Sequence, residues 1–390
     1  MKHSKIVFQL VHLLDWCGRS LRDRCRRVDG PVHVMFCMAD HFEPGTRDAS
    51  PAEEKARMDL LLSAYPKLAG GHRDHDGCPP KRTWFLPPHY HRAGNLPALV
   101  QLCQEGYGEI ELHLHHGKQV PDTAANLRAT ILRTVEEYGA FGVFGSEDGR
   151  KRYAFIHGDW ALDNSRDGAF CGVNSELTVL RETGCYADLT FPAMGVPGVN
   201  PARANRIYYA TDDPARPRSH ARGRVVASRG EAGGDLMMIQ GPVHPYLVGG
   251  RISGFRMIGD SVCNDRVGVD GRRIDSWVKT GIHIVGKRNW VFIKTHTHGA
   301  TEAPVVLGDA LDQAFAHMES HYNDSVGYCL HYVTSREMYN MIKAGEAGEP
   351  GDDPAPYRDY RIAAPRLNPR GGMPDASEEL QALVGKTYWG

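Results

Sequence analysis

The 390-residue chain lacks several short motifs that identify common enzyme classes. It contains no Gly-x-Ser-x-Gly elbow and no complete phosphate-binding Gly-x-x-x-x-Gly-Lys-Ser/Thr loop, which argues against serine hydrolases and nucleotide-driven chemistry. Its nine cysteines are scattered without a Cys-x-x-Cys pair, so neither a zinc ribbon nor a disulfide framework is indicated. Reduced thiols in the cytosol are the simpler interpretation.

An excess of charge of one sign is also lacking, because 46 basic and 47 acidic residues give a formal net charge of −1. No overall field therefore attracts nucleic acid, and no nucleic-acid partner is expected. Apolar runs of about 20 residues, which a membrane-spanning helix needs, are lacking as well. Since no signal-peptide pattern is found either, a cytoplasmic location is expected. The oligomeric state is left open.

Residues 1–29 predict a basic amphipathic helix at the start of the chain. Apolar residues recur at near-helical spacing between Ile6 and Trp16, and five arginines follow between Arg19 and Arg27. A helix of this kind can lie on an anionic membrane surface, although it more often packs against its own domain. Peripheral membrane contact through residues 1–28 is therefore a secondary hypothesis.

Apolar segments of strand length alternate with helix-like segments between residues 30 and 345. This alternation is typical of a parallel sheet or barrel. The expected fold is an α/β deformed (β/α) barrel of about seven parallel strands, with long inserted loops over about 198–280. Residues 346–390 are expected to form an extended arm and a short helix around 378–384. The seven strands are predicted over residues 32–39, 83–86, 109–115, 152–157, 187–191, 235–239 and 290–295.

Three of these strands end in clusters of side chains that can bind metals. The carboxyl ends of parallel strands meet at one end of a barrel, where active sites concentrate. A hydrolytic metal site is therefore predicted at that end. The clusters are Asp40, His41 and Glu43; His113, His115 and His116; and Lys294, His296 and His298.

The second cluster supplies the expected imidazole ligands. Strand alternation puts His113 and His115 on one face, while His116 begins the turn beyond the strand. Two imidazoles and one carboxylate with an open position are ligands with which a catalytic zinc or similar ion activates water. A divalent metal ion, with zinc as the first choice, is therefore the expected cofactor. Whether His115 or His116 joins His113 stays open.

The first cluster offers three residues for two tasks, those of metal ligand and general base. Spacing alone does not divide these tasks. The preferred interpretation makes Asp40 the base or a shared ligand, and either His41 or Glu43 completes the metal shell. In the third cluster, His296 is predicted to protonate a leaving amine or alcohol, with His298 in reserve.

Polar and aromatic residues near the ends of the predicted strands suit a sugar substrate. An indole can stack on the sugar ring, whose hydroxyls need hydrogen-bonding side chains. An ordinary polar loop explains the residues around position 160 about equally well. The predicted substrate-binding residues are His89, His157, Asp159, Trp160, Asn164 and Lys294.

These segments resemble the NodB-homology polysaccharide deacetylases, carbohydrate esterase family four, and their wider superfamily of deformed (β/α) barrels. The resemblance extends over about residues 30–345. It rests on Met-Ala-Asp-His-Phe-Glu at 38–43, Glu-Ile-Glu-Leu-His at 109–113 and Ile-Lys-Thr-His at 293–296. The chain departs from the family where Asp40-His41 replaces an Asp-Asp pair, and where Gly117 stands four residues after His113.

The resemblance implies metal-dependent hydrolysis of the N-acetyl group of a sugar, polysaccharide or glycoconjugate. It also implies that the first motif supplies a base and a metal ligand, the second motif two histidine ligands, and the late histidine the general acid. Two alternatives stay open. One is a glycoside hydrolase that uses two carboxylates, such as Asp40 with Glu43 or Asp159. The other is a carbohydrate-binding barrel without catalysis.

Overall fold

The computed structural model describes residues 10–18, 30–92, 94–196, 198–251, 254–262 and 268–371. Strands and helices alternate along much of this part of the chain. The strands are β1 (Val32–His41), β2 (Arg82–Leu86), β3 (Gly108–Leu114), β4 (Gly145–Glu147), β5 (Arg150–His157), β6 (Cys185–Asp188), β7 (Ile207–Ala210), β8 (Gly223–Val225), β9 (Leu236–Ile239), β10 (His244–Leu247), β11 (Phe255–Ile258), β12 (Trp290–Thr297) and β13 (Tyr328–Tyr332). The helices are α1 (residues 10–18), α2 (Pro51–Gly70), α3 (Asn95–Gln104), α4 (Ala124–Gly139), α5 (Glu176–Thr183), α6 (Gly271–Thr280), α7 (Ala303–Val306), α8 (Asp309–Tyr322) and α9 (Ser335–Ala347).

Eleven of these strands form one large, mostly parallel sheet, so the protein has a mixed α/β fold. Its main path runs β12-β1-β2-β3-β5-β6-β9-β7-β8, while β13 pairs with β1 and β4 with β5. The seven predicted strands correspond to β1, β2, β3, β5, β6, β9 and β12, which pair in parallel. The expected number of about seven strands is too low. Parallel β13 and the short antiparallel strands β4, β7 and β8 were missed.

The hydrogen-bonded path ends at β12 and β8, and no ladder within the described residues joins the two ends. The predicted closure of a barrel is therefore not seen in the strand pairing. Beside β12, the backbone of Ser261 forms an isolated parallel bridge to His296. The amide of His296 donates to the carbonyl of Asp260 at 3.2 Å, and the amide of Val262 donates to the carbonyl of His296 at 2.9 Å. This bridge brings Asp260 to the end of β12.

The two faces of the sheet carry different apolar clusters. Met38 belongs to the cluster that includes buried residues of α2, α3 and α4, and we call this side the outer face. Ala39 belongs to a second cluster in which α9 is the contributing helix, and we call this side the inner face. Because successive side chains of a strand point to opposite faces, Asp40 lies on the outer face and His41 on the inner face.

The region predicted as inserted loops, about 198–280, contains β7 to β11 and α6. Strands β10 and β11 form a separate antiparallel pair. The part of the predicted C-terminal arm that the structure describes packs against α9. Arg336 and Asn340 of that helix each donate a hydrogen bond of 2.8 Å to the carbonyl of Ile362. The short helix predicted around 378–384 lies outside the described residues.

Helix α1 packs against its own chain through part of its surface. Leu13 and Trp16 contact a small apolar cluster, and the Trp16 indole donates to Thr280 Oγ1 at 3.3 Å. Leu10 and Leu14 are exposed. The arginine-rich segment of the predicted basic helix, from Arg19 to Arg27, lies outside the described part of the chain. Among the helices in the described ranges, none combines the length and apolar character needed to cross a bilayer.

Candidate active site

Glu43, His113 and His115 converge at the carboxyl end of the parallel strands. Glu43 follows β1, His113 lies near the end of β3, and His115 follows β3 directly. Glu43 Oε1 lies 3.1 Å from His113 Nε2 and 2.5 Å from His115 Nε2. The three side chains are 12%, 0% and 10% exposed, respectively. One acidic and two imidazole groups are thus held together with little access to solvent.

The other ring nitrogens of the two histidines have separate partners. His113 Nδ1 lies 2.8 Å from the carbonyl oxygen of Ile156, and His115 Nδ1 lies 2.8 Å from Asp159 Oδ2. When its ring is neutral, each histidine carries its proton on Nδ1 and presents a lone pair on Nε2 toward Glu43. Two lone pairs and a carboxylate oxygen repel one another unless a proton or a metal ion lies between them. A divalent metal ion fits this donor set, which leaves further coordination positions open.

The charge of Glu43 supports this assignment. Burial disfavours ionisation, but in the absence of a metal ion the hydrogen bonds from His113 and His115 outweigh it and hold the pKa of Glu43 well below its usual value. Burial lowers the pKa of His115, but Asp159 and Glu43 outweigh it and raise that pKa, so a metal ion would displace a proton from this site. Burial lowers the pKa of His113, and it outweighs Glu43, which would raise that pKa. An ionised carboxylate beside a neutral imidazole is the form in which both groups bind a metal.

Three further imidazoles surround His113. The ring of His41 lies 5.0 Å from that of His113, 4.9 Å from that of His298 and 5.6 Å from that of His296, measured between ring centroids. Burial, reinforced by the neighbouring imidazoles, lowers the pKa of His41 well below its usual value and that of His298 to about 4. These two rings are therefore neutral near pH 7, and the same burial makes them weak proton acceptors.

His296 is oriented by a buried ion pair that the sequence did not reveal. Its Nδ1 lies 2.7 Å from Asp260 Oδ1, and Lys294 Nζ lies 2.6 Å from Asp260 Oδ2. Burial would raise the pKa of Asp260, but Lys294 and His296 lower it to about 2. Asp260 was missed because it lies in the region predicted as inserted loops, where no motif marks it.

Lys294 and Asn164, both predicted to bind substrate, lie in contacts within the protein. The ammonium group of Lys294 is fully enclosed and also donates to the carbonyl of Phe191 at 2.8 Å. Asn164 Oδ1 accepts from the amides of Gly168 and Gly172, which fixes the loop between β5 and α5. Their positions indicate structural roles rather than contact with a substrate.

Aromatic residues lie beside the site that is formed by Glu43, His113, His115 and the neighbouring rings of His41, His296 and His298, which we call the cleft. The rings of His89 and Tyr90 lie 5.5 Å and 5.2 Å from that of His115. On another side, the indole of Trp160 lies 6.3 Å from the ring of His298, nearly perpendicular to it. Asp159, beside this indole, is the carboxylate that orients His115. The structure thus brings His89, Asp159 and Trp160 to the cleft.

His116 and His157 point into a separate buried cluster with Cys171 and Glu176. His116 was predicted as an alternative metal ligand to His115, and His157 as a substrate contact. The structure places His115, and not His116, beside Glu43 and His113. His157 is fully buried, which removes it from contact with a substrate.

Asp40, the predicted base, lies on the outer face and not in the cleft. Its Oδ2 accepts a hydrogen bond from Arg82 Nη1 at 2.9 Å, and its Oδ1 accepts from the amide of Gly299 at 2.6 Å. Both side chains of the pair are fully buried. Arg82 also stacks on Tyr65 of α2, which confirms that this contact lies on the outer face. The geometry therefore gives Asp40 a structural role.

Replacing Asp40 by asparagine is expected to lower the free energy of unfolding by about 3–5 kcal/mol, because Arg82 would keep its charge in a buried position without a counterion. Urea denaturation measures this loss. The matched control is Asp59→Asn, which breaks a pair with Lys55 whose side chains are 59% and 73% exposed. That change is expected to cost less than about 1 kcal/mol. Equal losses in the two variants would contradict the structural role of Asp40.

No protein-family model matches the chain, and no curated protein matches its sequence. Among solved structures, the chain is similar to a protein from Parabacteroides distasonis provisionally named a glycoside hydrolase/deacetylase. The two are 14% identical with a TM-score of 0.42, and the match covers 81% of this chain and 70% of the other. The geometry of the site, rather than this distant likeness, therefore carries the functional conclusion.

Proposed function

We propose that the chain is a metal-dependent hydrolase that removes an acetyl group from the nitrogen of an N-acetylated sugar or glycoconjugate. The observation that carries this proposal is the convergence of His113 Nε2 and His115 Nε2 on Glu43 Oε1, with each Nδ1 held by another oxygen. The sequence motifs that contain these residues resemble those of polysaccharide deacetylases. The proposal combines that resemblance with the donor geometry.

Glu43, His113 and His115 are the proposed ligands of a divalent ion, with zinc as the first choice because zinc accepts this mixture of imidazole and carboxylate. The chemistry that such an ion supplies is polarisation of the acetamide carbonyl and a lower pKa for a water molecule. The proton of that water would pass to one of two unprotonated imidazoles of the cleft, His41 or His298, once the ion has lowered the pKa of the water. They take the place that the sequence suggested for Asp40.

His296 is the proposed proton donor to the departing amine. Its Nδ1–H donates to Asp260, which stabilises the positive charge on the ring when Nε2 carries a proton. Its ring lies 5.6 Å from His41 and 5.9 Å from His298, so it faces the same cleft as the proposed proton acceptors. A protonated His296 can give its Nε2 proton to the nitrogen as the carbon–nitrogen bond breaks.

Trp160 is the proposed contact for the sugar ring. The indole is partly exposed, and its neighbour His298 lies at the proposed reaction centre. An aromatic face provides a stacking surface for the apolar side of a pyranose. Tyr90 and His89 lie across the cleft beside His115, where they can contact the acetyl group or a neighbouring sugar.

The engagement of the carboxylates favours amide hydrolysis over cleavage of a glycosidic bond. A glycoside hydrolase uses one carboxyl group as acid and a second as base or nucleophile. Here Glu43, Asp159 and Asp260 are each hydrogen-bonded to a histidine. Such carboxylates serve to orient imidazoles or bind a metal, which are the tasks of a deacetylase site.

The experiment that tests the function follows two products from N-acetylglucosamine oligomers of two to six units. Free acetate and new amino groups are expected in equal amounts, without new reducing ends. A chelator should remove the activity, and zinc should restore it. New reducing ends without acetate would instead establish a glycoside hydrolase. Sugar binding without any product or bound metal would establish a binding protein.

A further inference from the structure

We propose that the chain holds a second metal ion, a structural zinc, in the buried cluster formed by His116, His157, Cys171 and Glu176. One ligand atom from each residue lies within 4.8 Å of the others. The His157 and Glu176 side chains and the Cys171 residue are fully buried, and His116 is nearly so. The cluster is distinct from the Glu43 site, since His116 points away from the residues that His115 contacts.

Glu176 lies at the centre of the cluster. Its Oε1 is 3.0 Å from His116 Nε2 and 3.4 Å from His157 Nε2, while its Oε2 is 3.3 Å from Cys171 Sγ. Two nitrogens, one sulfur and one carboxylate therefore face a common point. Four protein ligands of these types are a familiar set for zinc.

The histidines are oriented as metal ligands usually are. His116 Nδ1 lies 3.0 Å from Asp122 Oδ2, and His157 Nδ1 lies 2.5 Å from the carbonyl oxygen of Gly158. Because each Nδ1 is used in this way, both Nε2 atoms face the cluster. A carboxylate or carbonyl that accepts from the distal ring nitrogen is the common support for a zinc-bound histidine.

One nitrogen in the cluster has no hydrogen-bond partner. His157 Nε2 is buried, yet no donor or acceptor among the described residues satisfies it. A buried polar atom left in this way destabilises the folded protein. A cation between His157 Nε2 and the other three groups would remove this cost.

The backbone around Cys171 can stabilise a thiolate. Its sulfur accepts hydrogen bonds from the amides of Asn164 at 3.3 Å and Val173 at 3.4 Å. A soft thiolate with imidazoles selects zinc over magnesium or calcium, which prefer oxygen ligands.

The position of the cluster gives the ion a structural task. The ion would connect His116 after β3, His157 at the end of β5 and Glu176 at the start of α5. It would therefore link the two ends of the loop between β5 and α5. That loop carries Asp159 and Trp160, both in the left-handed region with φ of 55° and 52°. A closed metal site would hold these two residues beside the cleft in spite of their backbone strain.

The first test measures metal content and the spectrum of the cobalt-substituted protein. Two ions per chain are expected, together with a thiolate-to-cobalt charge-transfer band. Cys171→Ser is expected to lose the band and one of the two ions. Cys103→Ser, which changes another buried cysteine outside the cluster, should keep both. His113→Ala should lose one ion and keep the band, which separates the two sites.

A charge-transfer band that persists in Cys171→Ser, or a wild-type protein that binds a single ion and shows no such band, would overturn the proposal. The wild-type measurement does not depend on the folding of the variant. An anomalous difference map of wild-type crystals at the zinc edge is expected to show a peak between His157 Nε2 and Cys171 Sγ. The absence of that peak in zinc-loaded crystals would also overturn it. Neither measurement requires the chain to be a deacetylase.

Discussion

His113→Ala is expected to lower kcat/KM for deacetylation by at least about 1,000-fold and to remove the metal ion from the cleft. The Nε2 atom of His113 is one of two imidazole nitrogens that face Glu43 Oε1, so its removal leaves one imidazole and one carboxylate. Polarisation of the carbonyl and activation of water together supply several kcal/mol, and about 4 kcal/mol corresponds to a factor of 1,000.

Metal content and acetate release measured on the same preparation check this expectation. Glu43→Gln is the companion variant, because it keeps the shape of the side chain and removes its charge. His321→Ala is the matched control, since this histidine is exposed on α8 and is not one of the cleft residues. Full metal content with full activity in His113→Ala would exclude the proposed centre.

His296→Ala is expected to lower kcat for an N-acetylated sugar by about 100- to 10,000-fold, the usual range for loss of a general acid. The same variant should hydrolyse an activated aryl acetate at close to the wild-type rate. An aryl oxide leaves without a proton, whereas an amine does not. Metal content should be unchanged, because His296 hydrogen-bonds to Asp260 rather than to Glu43.

The decisive measurement is the loss of kcat on the N-acetylated sugar compared with the loss of kcat on the activated aryl acetate. An equal loss on the amide and the activated ester would show that His296 does not donate the proton. Asp260→Asn is a less specific variant, since Asp260 also neutralises buried Lys294. Its loss would leave an unpaired charge in the protein and destabilise the fold.

Much of the sheet was predictable because the signals are local. Each of the seven predicted strands is an apolar segment flanked by turn or helix signals, and each was found within a few residues of its expected ends. The start of α2 carries a local signal as well, because Ser50 stands three residues before Glu53 and the two form a reciprocal capping box. The missed strands β4, β7 and β8 have three or four residues, too few for a periodic pattern.

The predicted helices show the same dependence on local pattern. In α8, Leu311, Phe315 and Met318 recur at helical spacing and are buried. The helix α9 was missed. Its local signals are nevertheless present, because Met338, Met341 and Ile342 recur at helical spacing and Thr334 with Glu337 forms a capping box.

The sequence alone determined that metal-binding side chains follow parallel strands, because strand length, alternation and residue type are properties of short segments. It could not assign those side chains to partners. Whether Asp40 or His41 faces the cleft depends on which face of the sheet the helices cover. The tertiary structure decided this, and it paired Asp40 with Arg82.

The tertiary structure also separated neighbouring residues and joined distant ones. His115 and His116 are adjacent in the chain, yet one lies beside Glu43 and the other beside Glu176. Asp260 and His296 are 36 positions apart, yet a bridge beside β12 brings them into contact. Such contacts depend on the register and packing of segments far apart in sequence, which no local pattern encodes.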